Sequence, residues 1–194
     1  SQRLNSAGFL YENHKHKKGI GAMKGFFELN LEALKKDYST LARICESFYR
    51  ENGNKLEQII CEKTKNDLIN FKVNIGNHNF FLHSSYDPVK EAKNWVSRLD
   101  LKSIDTIAIL GVGAGYHLEE LFDTYPTKNK VVIEPDIGVF VKLMTVRDIR
   151  HLITAKNTLF IVSDNTEHIA KVFLGLREDG QIDSVLFTEL LSYR

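Results

Sequence analysis

Apolar and polar positions change rhythm along this chain, and each change predicts an element. Between Phe26 and Arg50 apolar residues recur at Leu34, Tyr38, Leu41, Cys45 and Phe48, a spacing that lines one face of a helix. Asn30 ahead of Leu31 reads as a helix cap, and Ser39-Thr40 as the restart of a second helix. After the turn Asn52-Gly53-Asn54, the positions Leu56, Ile59 and Ile60 suit either a short helix or a strand. From Leu68 the rhythm shortens to strict alternation, Ile69, Phe71, Val73 and Ile75 against Asn70, Lys72 and Asn74. Gly76-Asn77 and a second run from His78 to His83 complete a β-hairpin with the three polar residues expected in water. Asp87 followed by Pro88 then opens a helix to about Leu99, with Val89, Ala92, Val96 and Leu99 on its buried face.

From Asp105 onward short continuous apolar runs replace the alternation. Thr106–Leu110, Lys130–Ile133, Leu159–Val162 and Val185–Phe187 each read as a strand buried on both faces. Between them lie helical patterns at 117–122, at Val139, Phe140, Leu143 and Met144, and at Ile169, Val172, Phe173 and Leu176. Successive β-α units predict an α/β fold, a Rossmann-like three-layer parallel sheet preceded by N-terminal helices and a β-hairpin. The expected divisions are residues 1–25 as a leader or appended tail, 26–102 as the helical and hairpin subdomain, and 103–194 as the Rossmann-like domain.

Composition removes several function classes. Lys and Arg number 26 against 25 Asp and Glu, so no net field favours nucleic acid or an anionic membrane surface. Cys45 and Cys61 have no close-spaced partners, which argues against a cysteine zinc site and for a reduced, cytoplasmic compartment. His14 and His16 are two potential ligands without a third nearby, and no other histidine has metal-binding spacing, so no metal is expected. No run of apolar residues approaches the ~20 that a membrane span needs. No nucleophile motif is present, and catalytic residues stay unassigned.

Chemistry concentrates after the first buried strand. Gly111-Val112-Gly113-Ala114-Gly115-Tyr116 is a strand-to-helix glycine loop, and Glu134 ends the next strand 19 residues after Gly115. In such sheets ligands bind beyond the carboxyl ends of the strands, where glycines let backbone approach a phosphate or ribose and an acid accepts ribose hydroxyls. Asp164 ends the third strand in the same way. Tyr116 stands where the dinucleotide fingerprint carries its third glycine. The loop also resembles the first motif of S-adenosylmethionine-dependent methyltransferases, although Ile109 replaces the acid two positions before the first glycine. Two readings stay open: Gly111, Gly113, Gly115, Tyr116, Glu134 and Asp164 hold a nucleoside-containing ligand, or the glycines only make a tight turn. Ahead of the helix that Pro88 opens, His83, Ser84, Tyr86 and Asp87 crowd a helix N-terminus that favours an anion, and are expected to border the same cleft.

Taken together, the strings H-S-x-Y-D-P-x-x-E-A (from His83) and G-x-G-x-G-Y-H (from Gly111), with Val132-Ile133-Glu134-Pro135-Asp136, resemble the N-terminal region of the motility accessory factor (Maf) family. Asn30-Leu31-Glu32-Ala33-Leu34 is similar to the start of those proteins, and the resemblance runs from Phe26 to Arg194. It implies a cytoplasmic flagellin glycosyltransferase that transfers a nonulosonic acid, pseudaminic or legionaminic, from a CMP-activated donor to Ser or Thr. It further implies that this part is accessory or nucleotide-binding and that a transferase domain follows. The ligand expected is a nucleotide or CMP-linked nucleotide sugar, with a methyltransferase-like enzyme using S-adenosylmethionine as the alternative. The partner expected is flagellin, reached through the whole protein, with no nucleic acid or membrane, and a homo-oligomer is left open.

Overall fold

The computed structural model describes residues 24–75 and 78–193. The His14-x-His16 pair, the Gly76-Asn77 turn and nearly all of the expected leader lie outside the described residues. Two helices, α1 (Phe26–Asp37) and α2 (Ser39–Glu51), restart at Ser39 as the sequence predicts, followed by α3 (Gly53–Gln58). The ambiguous stretch around Leu56 divides into both alternatives: α3, then a strand β1 (Ile60–Lys63). The expected hairpin is β2 (Ile69–Ile75) with β3 (His78–Phe81), and β1 pairs with β2 to make a three-stranded antiparallel sheet, order β1-β2-β3. Helix α4 (Pro88–Val96) begins as predicted, with the Asp87 side chain accepting from the Lys90 amide and Pro88 in the first turn.

Two expectations are corrected. Asn30 is no cap: it sits inside α1, wholly buried, bonded to the Met144 carbonyl and the Ile149 N–H rather than to its own helix. Asn70 is not in water either. The chain leaving β3 passes over it, and its amide donates to the His83 carbonyl (2.8 Å) while its oxygen accepts the His83 N–H (3.1 Å). A polar side chain on the outer face of a strand is buried when the next segment uses it as a backbone partner.

The second half alternates β4 (Thr106–Leu110), α5 (Tyr116–Thr124), β5 (Asn129–Glu134), α6 (Ile137–Val146), a short α7 (Arg150–Ile153), β6 (Thr158–Val162), α8 (Thr166–Glu178) and β7 (Val185–Glu189), then a 3-10 turn, Leu191–Tyr193. The parallel sheet has the order β6-β5-β4-β7, with Thr106 opposite both Asn129 and Val185. The chain steps outward from β4 to β6, then returns to the far side of β4, so the reversal falls between β4 and β7. The crevice at the carboxyl ends of those two strands is where such sheets take ligands.

The pleat sorts side chains onto two faces. Ile107, Ile109, Val132 and Phe160 join Phe27, Leu34, Phe71, Leu118, Phe140 and Leu143 in one buried cluster that fuses the N-terminal helices, the antiparallel sheet, α5 and α6. Ala108, Val131, Ile133 and Ile161 face the other way, against Ile169, Val172, Phe173 and Leu176 of α8. Among the described residues no helix is long and apolar enough to cross a membrane.

Candidate functional site

The glycine loop leaves β4 with three left-handed turns: φ is +93° at Gly111, +46° at Gly113 and +86° at Gly115. Side-chain-bearing residues rarely adopt that backbone. Two of the glycines are also pressed by neighbours. A Cβ on Gly111 would lie 2.7 Å from the Tyr193 ring, and one on Gly113 would lie 2.6 Å from His83 Nε2 and 2.8 Å from Leu190. The crevice that topology reserves for a ligand is thus filled by the chain's own Leu190 and Tyr193, delivered by β7, and by His83, delivered from the end of the antiparallel sheet.

Glu134, the expected ribose acceptor, is fully buried beneath this lid. Its Oε2 accepts the Val112 N–H and the Tyr193 hydroxyl, both at 2.8 Å, and its Oε1 accepts the Asp136 N–H at 2.9 Å. Burial pushes its carboxyl up to about 7, against the opposing pull of those three donors. Tyr193 is raised in turn, by burial first and by the charge of Glu134 second.

His83 lies on Glu91 Oε2 through Nδ1 (3.2 Å), and the same oxygen accepts the Ser84 N–H (3.0 Å). A carboxylate only accepts, so Nδ1 carries the hydrogen and Nε2 presents a lone pair. That Nε2 is buried and, among the described residues, has no partner. Burial lowers the His83 imidazole, opposed by Glu91. Beside it His117 donates Nε2–H to the Gly111 carbonyl (2.9 Å), leaving its buried Nδ1 unpartnered, and burial takes this ring down to about 3. Trp95 stands edge-on to His117 at 5.5 Å and donates its indole N–H to the Glu189 carbonyl (3.2 Å), tying α4 to β7.

Tyr116 escapes the packing conflict that a large residue at the third-glycine position suggests. As the first residue of α5 it turns toward the antiparallel sheet, donates its hydroxyl to the Ile69 carbonyl (2.8 Å), and carries the Arg147 guanidinium 4.3 Å above its ring. Arg147 in turn chelates Glu119 (2.7 and 2.8 Å) and donates to the Ala114 carbonyl.

The other motif residues divide. Ser84, Tyr86 and Asp87 line an outer cavity of about 510 Å³ with Lys90, Trp95 and Arg98, while only His83 turns inward to the glycines. Tyr86 is 61% exposed with Lys65 above its ring. Asp164 lines a separate, larger opening of about 1110 Å³ with Lys55, Asn74, Asn79 and Asp136. Sequence reasoning did not assign Tyr193, Leu190, Glu91, His117 or Arg147. Tyr193 had a topological signal: in a doubly wound sheet, whatever follows a strand paired with β4 must emerge beside the glycine loop.

Residues 46–183, more than half of the chain, match the family described as Glycosyltransferase Maf N-terminal domain. The chain belongs to this family. The structure of the Maf glycosyltransferase from Magnetospirillum magneticum AMB-1 superposes with a TM-score of 0.59 at 14% identity, covering 85% of this chain. That likeness concerns the fold, and the chain spans 32% of the length of that protein. No curated protein matches the chain. Within the family's N-terminal domain, the two strings that carried the resemblance thus meet through His83, which lies against Gly113 and beside the rings of Tyr116 and His117, while Ser84, Tyr86 and Asp87 face outward.

Proposed function

We propose that this chain serves as the N-terminal, non-transferring domain of a cytoplasmic glycosyltransferase that attaches a nonulosonic acid from a CMP-activated donor to flagellin Ser or Thr residues. Membership of the Maf N-terminal domain family carries this reading. The closed crevice supports an accessory role, since Glu134 and the glycine loop are engaged by the chain's own side chains. Ile109, where the methyltransferase motif has an acid, is fully buried in the sheet, which favours this reading over the methyltransferase-like one.

The reading is tested in a strain lacking the gene, by the intact mass of its flagellin. Restoring the complete gene is expected to return the sugar increment, and the gene without residues 24–193 is not. In vitro, the isolated chain with a CMP-nonulosonic acid and flagellin is expected to transfer nothing. Transfer by the chain alone overturns the accessory assignment.

A further inference from the structure

Leu190, Tyr193 and His83 close the glycine crevice, yet leave it chemically incomplete. Glu134 Oε2 accepts one N–H, from Val112, and one O–H, from Tyr193. His83 Nε2, held as a lone pair by Glu91, points at Gly113 and has no donor among the described residues, although it is buried. A buried acceptor without a donor is disfavoured, and native structures rarely retain one without reason. His83 Nε2 therefore calls for a donor, Glu134 Oε2 is already shaped to take a hydroxyl beside the Val112 N–H, and both border backbone stripped of Cβ atoms at the sheet's reversal point.

We propose that this crevice is a ribonucleoside site closed at rest by Tyr193, whose phenol holds on Glu134 the place of a ribose hydroxyl. The 3-10 turn is held to the crevice by the Leu190 N–H on the Leu110 carbonyl (3.0 Å), by the Ser192 hydroxyl on the Leu82 carbonyl (2.9 Å) and by the phenol itself. With Tyr193 swung out, one ribose hydroxyl donates to Glu134 and its neighbour to His83 Nε2, while the nucleoside lies over Gly111 where the phenol ring lay. A ligand that binds only the opened form pays the closing equilibrium in its apparent affinity. The inference does not depend on sugar transfer to flagellin.

Calorimetric titration of the full chain with CMP, with S-adenosylhomocysteine and with 2′,3′-dideoxycytidine monophosphate tests it. Tyr193→Ala is expected to bind CMP or S-adenosylhomocysteine at least tenfold more tightly than the unaltered chain, and which of the two responds identifies the base. The dideoxy analogue is expected to show no gain, and Glu134→Gln added to Tyr193→Ala is expected to remove it. A folded Tyr193→Ala chain with no saturable binding of either nucleoside overturns the proposal, as does an equal gain for the dideoxy analogue. Should the alanine variant lose its circular dichroism, Tyr193→Phe decides: it frees Glu134 while keeping the ring, and an affinity no higher than that of the unaltered chain overturns the proposal.

Discussion

Asn30 in α1 accepts the Ile149 N–H at 3.0 Å while donating to the carbonyls of Met144 (2.9 Å) and Arg147 (2.7 Å). One buried amide thus completes the backbone pairing of the loop where α6 ends, and fixes the N-terminal helix to the Rossmann-like half. Replacing it by Ala strands those groups away from water. Unsatisfied buried groups cost ~1–3 kcal/mol apiece, so with three bonds lost Asn30→Ala is expected to lower stability by about 3 kcal/mol or more. Urea unfolding checks this through a lower midpoint at unchanged slope. A loss well under 1 kcal/mol would mean that water takes over the three bonds.

Glu134 gives the protein an acid-favouring component. Its carboxyl is raised from 4.5 to about 7 in the fold, so between these values the native state holds a proton that the unfolded chain has released. Stability from this group is full below about 4.5 and is lost as pH rises through about 7, a difference on the order of 3 kcal/mol. Urea midpoints of the unaltered chain and Glu134→Gln from pH 4.5 to 8 read the effect. The gap between the two is expected to narrow steadily with rising pH; a constant gap would show that the carboxylate is ionised throughout.

His117 acts in the opposite sense. Held neutral down to about 3, it contributes stability above its unfolded value of 6.5 that is lost as pH falls toward 3. His117→Gln, whose amide nitrogen can still donate to the Gly111 carbonyl, is expected to flatten the acid limb of the stability curve below pH 6.5. An acid limb as steep as that of the unaltered chain would place the cause elsewhere.

Glycines in this chain differ in what a methyl group does. At Gly113 the left-handed backbone alone costs ~1–2 kcal/mol for an alanine, and the His83 and Leu190 contacts add to it. Gly175, inside α8 with open space around it, is expected to respond the other way, since Ala in a helix interior is favoured by ~0.5–1 kcal/mol. Thermal unfolding of Gly113→Ala and Gly175→Ala should therefore move the midpoint down and up respectively. A rise in both would remove the case that the crevice is tightly filled.

Periodicity exposed most of the architecture because burial obeys it: Ile107, Ile109 and Val132 face one layer and Ala108, Val131 and Ile133 the other. The Asp87-Pro88 helix start was legible because capping is local. Asn30 and Asn70 were misread for the complementary reason. Their partners lie more than a hundred and thirteen residues away respectively, and a polar residue on a helix or strand carries no mark of a distant backbone group that needs it. In the site, the glycines and Glu134 could be read from spacing, whereas the phenol that occupies them belongs to a segment 59 residues beyond Glu134. The His83 motif was seen as one cluster, and the backbone turn after β3 sends His83 inward while Ser84, Tyr86 and Asp87 line the outer cavity.

The two layers flanking the parallel sheet are unequal, and so are the lifetimes of their backbone bonds. Among the described residues helix α8 covers its face alone; it has no fully buried residue and leaves Leu174 59% exposed, whereas the opposite layer is locked into the cluster of Phe71, Leu118 and Phe140. Amide hydrogens of α8 are expected to exchange with deuterium through a local opening that leaves β4 and β5 intact, with those two strands exchanging last. The molecule thus has a loosely held outer shell on one side and a slow-exchanging centre that carries the glycine loop.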